Sequence, residues 1–184
     1  MEPVHAGHGF GPLIAEDASI LILGSFPSIK SRQAAFFYGH PQNRFWKIIA
    51  AFCDRDLEAR LLAGENIPSP ETIEEKKRLI LTHRLALYDT IESCTVTGSS
   101  DSSIKDVEPA DIVGILKRTP IQKILCNGTL SYTLFQKYET RKIQDFAERT
   151  GTPVPEVRKL PSTSPANAAW SLPKLYGVWK DALS

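Results

Sequence analysis

A chain of 184 residues, 42% hydrophobic and 23% charged, suffices for one domain with a sizeable core and shows neither disorder nor a fibrous repeat. Its apolar runs, such as residues 20–23, are far too short to cross a bilayer, and no charged leader with an apolar segment opens the sequence, so no membrane partner and a cytoplasmic location are expected. The net charge of +1 argues against nucleic acid until its distribution is considered. Residues 18–53 and 157–180 contain no acid and together carry +8, leaving −7 elsewhere, so their meeting in space would create one basic face.

Residues 1–17 hold three glycines and two prolines without periodicity and read as an irregular N-terminal arm of a single domain spanning 1–184. His5, His8 and His83 read as surface or loop residues. Residues 18–24 form a β-branched and leucine-rich run ending at Gly24, the pattern of a strand buried on both faces. The tight turn that follows, Ser25 to Ser28, fits neither a dinucleotide fingerprint, a phosphate loop nor a hydrolase elbow.

Residues 36–46 then place five of the sixteen aromatic residues in eleven positions, interleaved with His40, Gln42, Asn43 and Arg44. Such a mixture suits a pocket that stacks a flat, polar ligand and reads its edge, although a loop whose aromatics simply enter the core stands beside that reading. Pro41 is placed to open a helix carrying Phe45, Ile48, Ile49 and Phe52 on one stripe, with Asn43 in its first turn. Ser69 is the expected cap of a helix over 73–83.

A second strand is read at 84–90 with Asp89 at its carboxyl end, a polar loop at 98–103, and a short helix at 111–117. A third strand at 121–126 breaks at Asn127-Gly128 into a helix over 129–138, and a polar amphipathic helix follows near 142–149. Residues 157–160 form a short fourth strand, and a helix over 172–183 closes the chain. Four strands alternating with helices predict an α/β fold: a three-layer α/β/α sandwich around a central, mostly parallel four-stranded sheet. Each polar oddity falls just after a strand, so one sheet edge would gather them into one cleft. Cys53, Cys94 and Cys126 stand far apart without a Cys-x-x-Cys pair, so no metal site is expected, and no cofactor.

Six stretches occur in an order that resembles the uracil-DNA glycosylase superfamily, within it the hypoxanthine- or deoxyinosine-DNA glycosylases. They are Leu-Ile-Leu-Gly-Ser-Phe-Pro-Ser (21–28), Phe-Tyr-Gly-His-Pro-Gln-Asn-Arg-Phe-Trp (37–46), Leu-Ala-Leu-Tyr-Asp with the following Ser-Cys (85–94), Gly-Ser-Ser-Asp-Ser-Ser-Ile (98–104), Cys-Asn-Gly (126–128) and Leu-Pro-Ser-Thr-Ser-Pro-Ala (160–166). The second also looks like its counterpart in the mismatch-specific uracil glycosylases. The resemblance implies a monomeric, monofunctional enzyme of base excision repair that flips a deaminated base, foremost hypoxanthine, out of DNA and hydrolyses its N-glycosidic bond.

It further implies Asn43 and Asn127 as catalytic amides and Phe26, Phe37, Tyr38 and Asp89 against the base. Ser25, Pro27, Ser28, His40, Ser162, Thr163, Ser164, Pro165 and Ala166 are the implied DNA contacts. Two departures stand out. Phe26 occupies the place where relatives usually carry a water-activating Asp or Asn, and Ala166 replaces a DNA-wedging Leu. A G:U-directed uracil glycosylase and a catalytically weak lesion-binding module therefore remain as alternatives.

Overall fold

In the computed structural model, which describes residues 2–98 and 100–184, the chain runs β1 (Val4–Gly7), β2 (Ile20–Gly24), α1 (Ile29–Ala34), α2 (Phe45–Cys53), α3 (Arg55–Leu62), α4 (Ile73–Thr82) and β3 (Leu85–Asp89). It continues through β4 (Ile91–Val96), β5 (Lys105–Pro109), α5 (Ile112–Leu116), β6 (Lys123–Asn127), α6 (Thr129–Tyr138), α7 (Thr140–Thr150), β7 (Glu156–Leu160) and α8 (Leu172–Leu183). Ser99, in the expected polar loop, lies outside the described residues.

The four predicted strands form one parallel sheet in the order β3-β2-β6-β7, with Gly24 opposite Asp89 and Asn127 opposite Leu160. Leu21, Ile22 and Leu23 are wholly buried because both sheet faces are covered, which is why the run shows no polar alternation. α2 packs with α3, α4 and α8; α6 lies on β6 and β7 and meets α7, which meets α5. The crossovers β2 to β3 and β6 to β7 run in opposite directions across the sheet. Right-handed connections therefore send their helices to opposite faces, giving the three layers.

Several expectations change. The arm is not irregular: β1 pairs antiparallel with β4, Leu13 bridges to Leu87, and the His8 N–H bonds the Glu92 carbonyl at 2.7 Å. β1, β4 and β5 make a second, three-stranded sheet, whose Ile91, Cys94 and Val96 pack against Leu134 of α6. These strands are short, and β4 meets β5 with register shifts, so no clean two-residue period marks them. α1 occupies 29–34, where no element is expected, and α3 fills part of 54–69. α2 begins at Phe45 rather than Pro41, because Asn43 N–H closes a turn on the His40 carbonyl and Arg44 N–H reaches the Thr163 carbonyl. Thr72, not Ser69, caps α4: its side chain accepts from Glu75 N–H while Glu75 reaches back, a full capping box.

Candidate active site

The carboxyl ends of all four parallel strands open into one cleft of about 1270 Å³, walled by the aromatic stretch, the turn after β2 and the loop after β7. Asp89 enters from β3, Ser25 to Ser28 from β2, Asn127 from β6 and Ser162 to Ala166 from β7. Tyr38, His40 and Asn43 face the same space. The convergence expected of segments far apart in sequence is therefore met in space.

Thr163 joins the two amides. Asn127 Oδ1 accepts from Thr163 N–H at 3.0 Å, and Asn127 Nδ2 donates to Thr163 Oγ1 at 2.9 Å. That hydroxyl in turn donates to Asn43 Oδ1 at 2.9 Å, which also accepts from Phe45 N–H at 3.0 Å. Each amide oxygen accepts from a backbone N–H, so neither amide can be flipped without facing donor to donor. Asn43 Nδ2, bonded to none of the described residues, is left as a donor at the cleft, whereas Asn127 is largely occupied with Thr163. Gly128, at φ 97° and with a would-be Cβ 3.2 Å from Ser162 Cβ, lets β6 turn into α6 beneath this network.

Tyr38 sits at φ 51°, a left-handed conformation that a bulky residue adopts only when its surroundings enforce it. Here they do: Ser31 Oγ accepts from Gly39 N–H at 3.0 Å, and Trp46 Nε1 donates to the Phe37 carbonyl at 3.1 Å. The strain turns the Tyr38 ring onto Phe45, centroids 3.9 Å apart. Its hydroxyl is buried without a hydrogen bond to any described residue. Burial and the nearby Asp89 push the phenol upward, with the Asn127 amide opposing, so Tyr38 is a neutral ring at physiological pH.

Other expected contacts fall differently. Phe37 is only 3% exposed and packs its ring against Phe10 and Phe36, so it belongs to the floor and presents no open face to a base. Phe26 is half-buried, with the Arg32 guanidinium 5.2 Å above its ring, and Pro27 is buried. Ser28 caps α1, accepting from Ser31 N–H at 3.2 Å. Thr163 is 0% exposed with N–H and hydroxyl both spent, so it holds the amides rather than a phosphate. Ser162 and Ser164 accept from Ser164 N–H and Ala166 N–H, shaping a loop whose tip, Pro165 and Ala166, is exposed.

Three features escaped the sequence. Arg44 donates to the carbonyls of Thr163, Ser164, Asn167 and Trp170, spending its guanidinium on the loop rather than on an anion. Its desolvation pulls the guanidinium below its ordinary value, though Arg stays charged. Of the remaining cations in the acid-free stretches, Lys47 bonds Asn66, Arg158 bridges Glu156 and Asp181, and Lys180 bridges Glu58. The basic face is thus smaller than the charge count implied: Lys30, Arg32 and Lys159 line the cleft. Second, Asp89, 5% exposed, is held by buried His8. Third, a Cβ on Gly24 would lie 2.1 Å from Asp89 Oδ1, so only glycine leaves the carboxylate its place. Burial pushes the thiols of Cys53 and Cys126 up to about 12, leaving neither as a thiolate nucleophile at neutral pH.

No family model matches the chain. A hypoxanthine DNA glycosylase of Methanosarcina acetivorans is 30% identical over 164 residues, covering 89% of either chain. A hypoxanthine DNA glycosylase of Methanosarcina barkeri is 32% identical over 124 residues, covering 67% of this chain and 72% of the relative. The solution NMR structure of an M. acetivorans protein described as a uracil DNA glycosylase matches with a TM-score of 0.66 at 28% identity, covering 95% of this chain and 94% of that one. With this sequence kinship, fold and cleft, the chain belongs to the hypoxanthine-DNA glycosylase branch of the uracil-DNA glycosylase superfamily.

Proposed function

We propose that this protein is a monofunctional DNA glycosylase that removes hypoxanthine from DNA, acting as a cytoplasmic monomer. The observation that carries the reading is the Asn43–Thr163–Asn127 network, which fixes one amide donor at the cleft without consuming it. Extruding a nucleotide costs a few kcal/mol, least for a mispaired, deaminated base. The Tyr38 ring, braced on Phe45, offers a stacking surface of the kind that contributes roughly 1–3 kcal/mol per base. As the N-glycosidic bond breaks, negative charge grows on the leaving base, and a prepositioned donor stabilises it at no further cost in reorganisation. Asn43 Nδ2 is that donor. Asn127 sets its position, and Asp89 faces the base edge.

The exposed rim of the β7 loop, with Ser162, Ser164, Pro165, Ala166 and Lys159, meets the phosphates, and the Ser25 to Ser28 turn and His40 stand across from it. Lys30 and Lys159 are exposed to water rather than held in the apolar pocket that activates a Schiff-base lysine, which supports hydrolysis without a lyase step. The test is a lesion panel: duplexes carrying hypoxanthine, xanthine or uracil, incubated with excess enzyme and developed with alkali. Strand breaks at hypoxanthine above the others support the reading, and breaks at uracil alone replace it with a uracil glycosylase. A second reading, lesion binding without cutting, is favoured by Phe26, which cannot accept a proton from water. Lesion-selective binding with no break in any duplex would select it.

A further inference from the structure

His8 takes no part in the reaction outlined above, yet it is built into the site. It is 1% exposed, and its Nε2 lies 2.7 Å from Asp89 Oδ2. The ring is packed by Phe10 at 4.3 Å and Tyr88 at 4.7 Å between centroids. The backbone is fixed by β1 pairing with β4 and by the bond to the Glu92 carbonyl. A carboxylate only accepts, so Nε2 carries the hydrogen. Nδ1 has no hydrogen-bond partner among the described residues. Asp89 is thereby held at one oxygen, while Oδ1, placed over Gly24, accepts from no described residue and opens onto the cleft.

Deamination inverts the hydrogen-bonding edge of a base. Adenine and cytosine present a ring nitrogen lone pair beside an amino group; hypoxanthine and uracil present a ring N–H beside a carbonyl. A carboxylate oxygen pairs with that N–H, whereas in the same register it meets the lone pair of adenine N1 or cytosine N3 with repulsion. A carboxylate that swung away would lose this register. The His8 N–H, given to Oδ2 at 2.7 Å, fixes the orientation of the carboxylate.

We propose that His8 is a specificity-determining positioning residue, holding Asp89 as a pure acceptor for the ring N–H of a deaminated base so that the site rejects the amino-bearing parent. The inference rests on the glycosylase reading and deepens it. Guanine shares the ring N–H and carbonyl, so its exclusion falls to other parts of the pocket.

The experiment compares wild type with His8→Gln, whose amide can donate to Asp89, and His8→Phe, which fills the aromatic site without a donor. Single-turnover excision of hypoxanthine is expected to stay within about three-fold in His8→Gln and to fall about ten-fold or more in His8→Phe, as for loss of a hydrogen bond to a charged group. Affinity is then read in an Asn43→Ala background for a hypoxanthine duplex against the matching adenine duplex. Adding His8→Phe should shrink that ratio by about ten-fold while leaving undamaged-duplex affinity unchanged, which a general loss of packing would not do. Equal behaviour of the two variants, or an unchanged ratio, with wild type active overturns this inference alone. A wild type that excises no base overturns the glycosylase reading and this inference with it.

Discussion

The resemblance gives Asn43 and Asn127 the same catalytic part, but their surroundings give them different work. Asn43 keeps its NH2 group available, while Asn127 orders Thr163 through two bonds. Asn43→Ala is therefore expected to lower single-turnover excision by about ten-fold or more with duplex affinity unchanged, the signature of a lost transition-state donor. Asn127→Ala should show a similar loss but also a lower melting temperature, since it strands the buried Thr163 N–H at a cost of about 1–3 kcal/mol. Calorimetry beside the kinetics separates the two. Gly24→Ala makes a sharper geometric case. A methyl 2.1 Å from Asp89 Oδ1 must displace a carboxylate that His8 also holds, so excision should fall to the level of Asp89→Ala. Wild-type rates in Gly24→Ala would show that the position of Asp89 is immaterial.

At the scale of elements, Arg44 ties the start of α2 to the loop after β7 through four carbonyls. Lysine has the charge without the fork and cannot span them. Arg44→Lys should speed amide hydrogen exchange across 163–170 and reduce excision, with the sheet strands still protected. Unchanged exchange there would remove Arg44 from its bracing role. The role was hidden in sequence because a guanidinium beside aromatics reads equally well as an anion ligand. Of the four central strands, β2 and β3 were the most legible, since burial on both faces leaves the apolar runs 20–23 and 85–88. The α6 bounds were legible too, because Asn127-Gly128 breaks the chain at a point where only glycine fits. β1, β4 and β5 were not: four to six residues with mixed exposure carry no period of their own, and they exist by pairing with one another. His8 was unreadable for the same reason, its partner lying 81 positions away.

For the whole molecule, the formal charge of +1 conceals a sorted surface. Arg158 and Lys180 are matched by acids and Arg44 by four carbonyls, whereas Lys30, Lys159 and Arg32, the last with one N–H on the Pro27 carbonyl, line the cleft. Replacing these three with Gln should flatten the dependence of log affinity on log salt by about 2–3, since each phosphate neutralised contributes about 0.9 to the slope on duplex DNA. An unchanged slope would move the DNA path to another face.

The central claim is that one cleft turns a fixed amide on an extruded, deaminated base. Its most direct measurement is the single-turnover rate of abasic-site formation in a hypoxanthine duplex for wild type and Asn43→Ala, with duplex affinity measured in parallel. The account predicts release by wild type, a rate about ten-fold or more lower in the variant, and equal affinities. Equal rates in the two proteins, or no abasic site from wild type at enzyme excess, would contradict it.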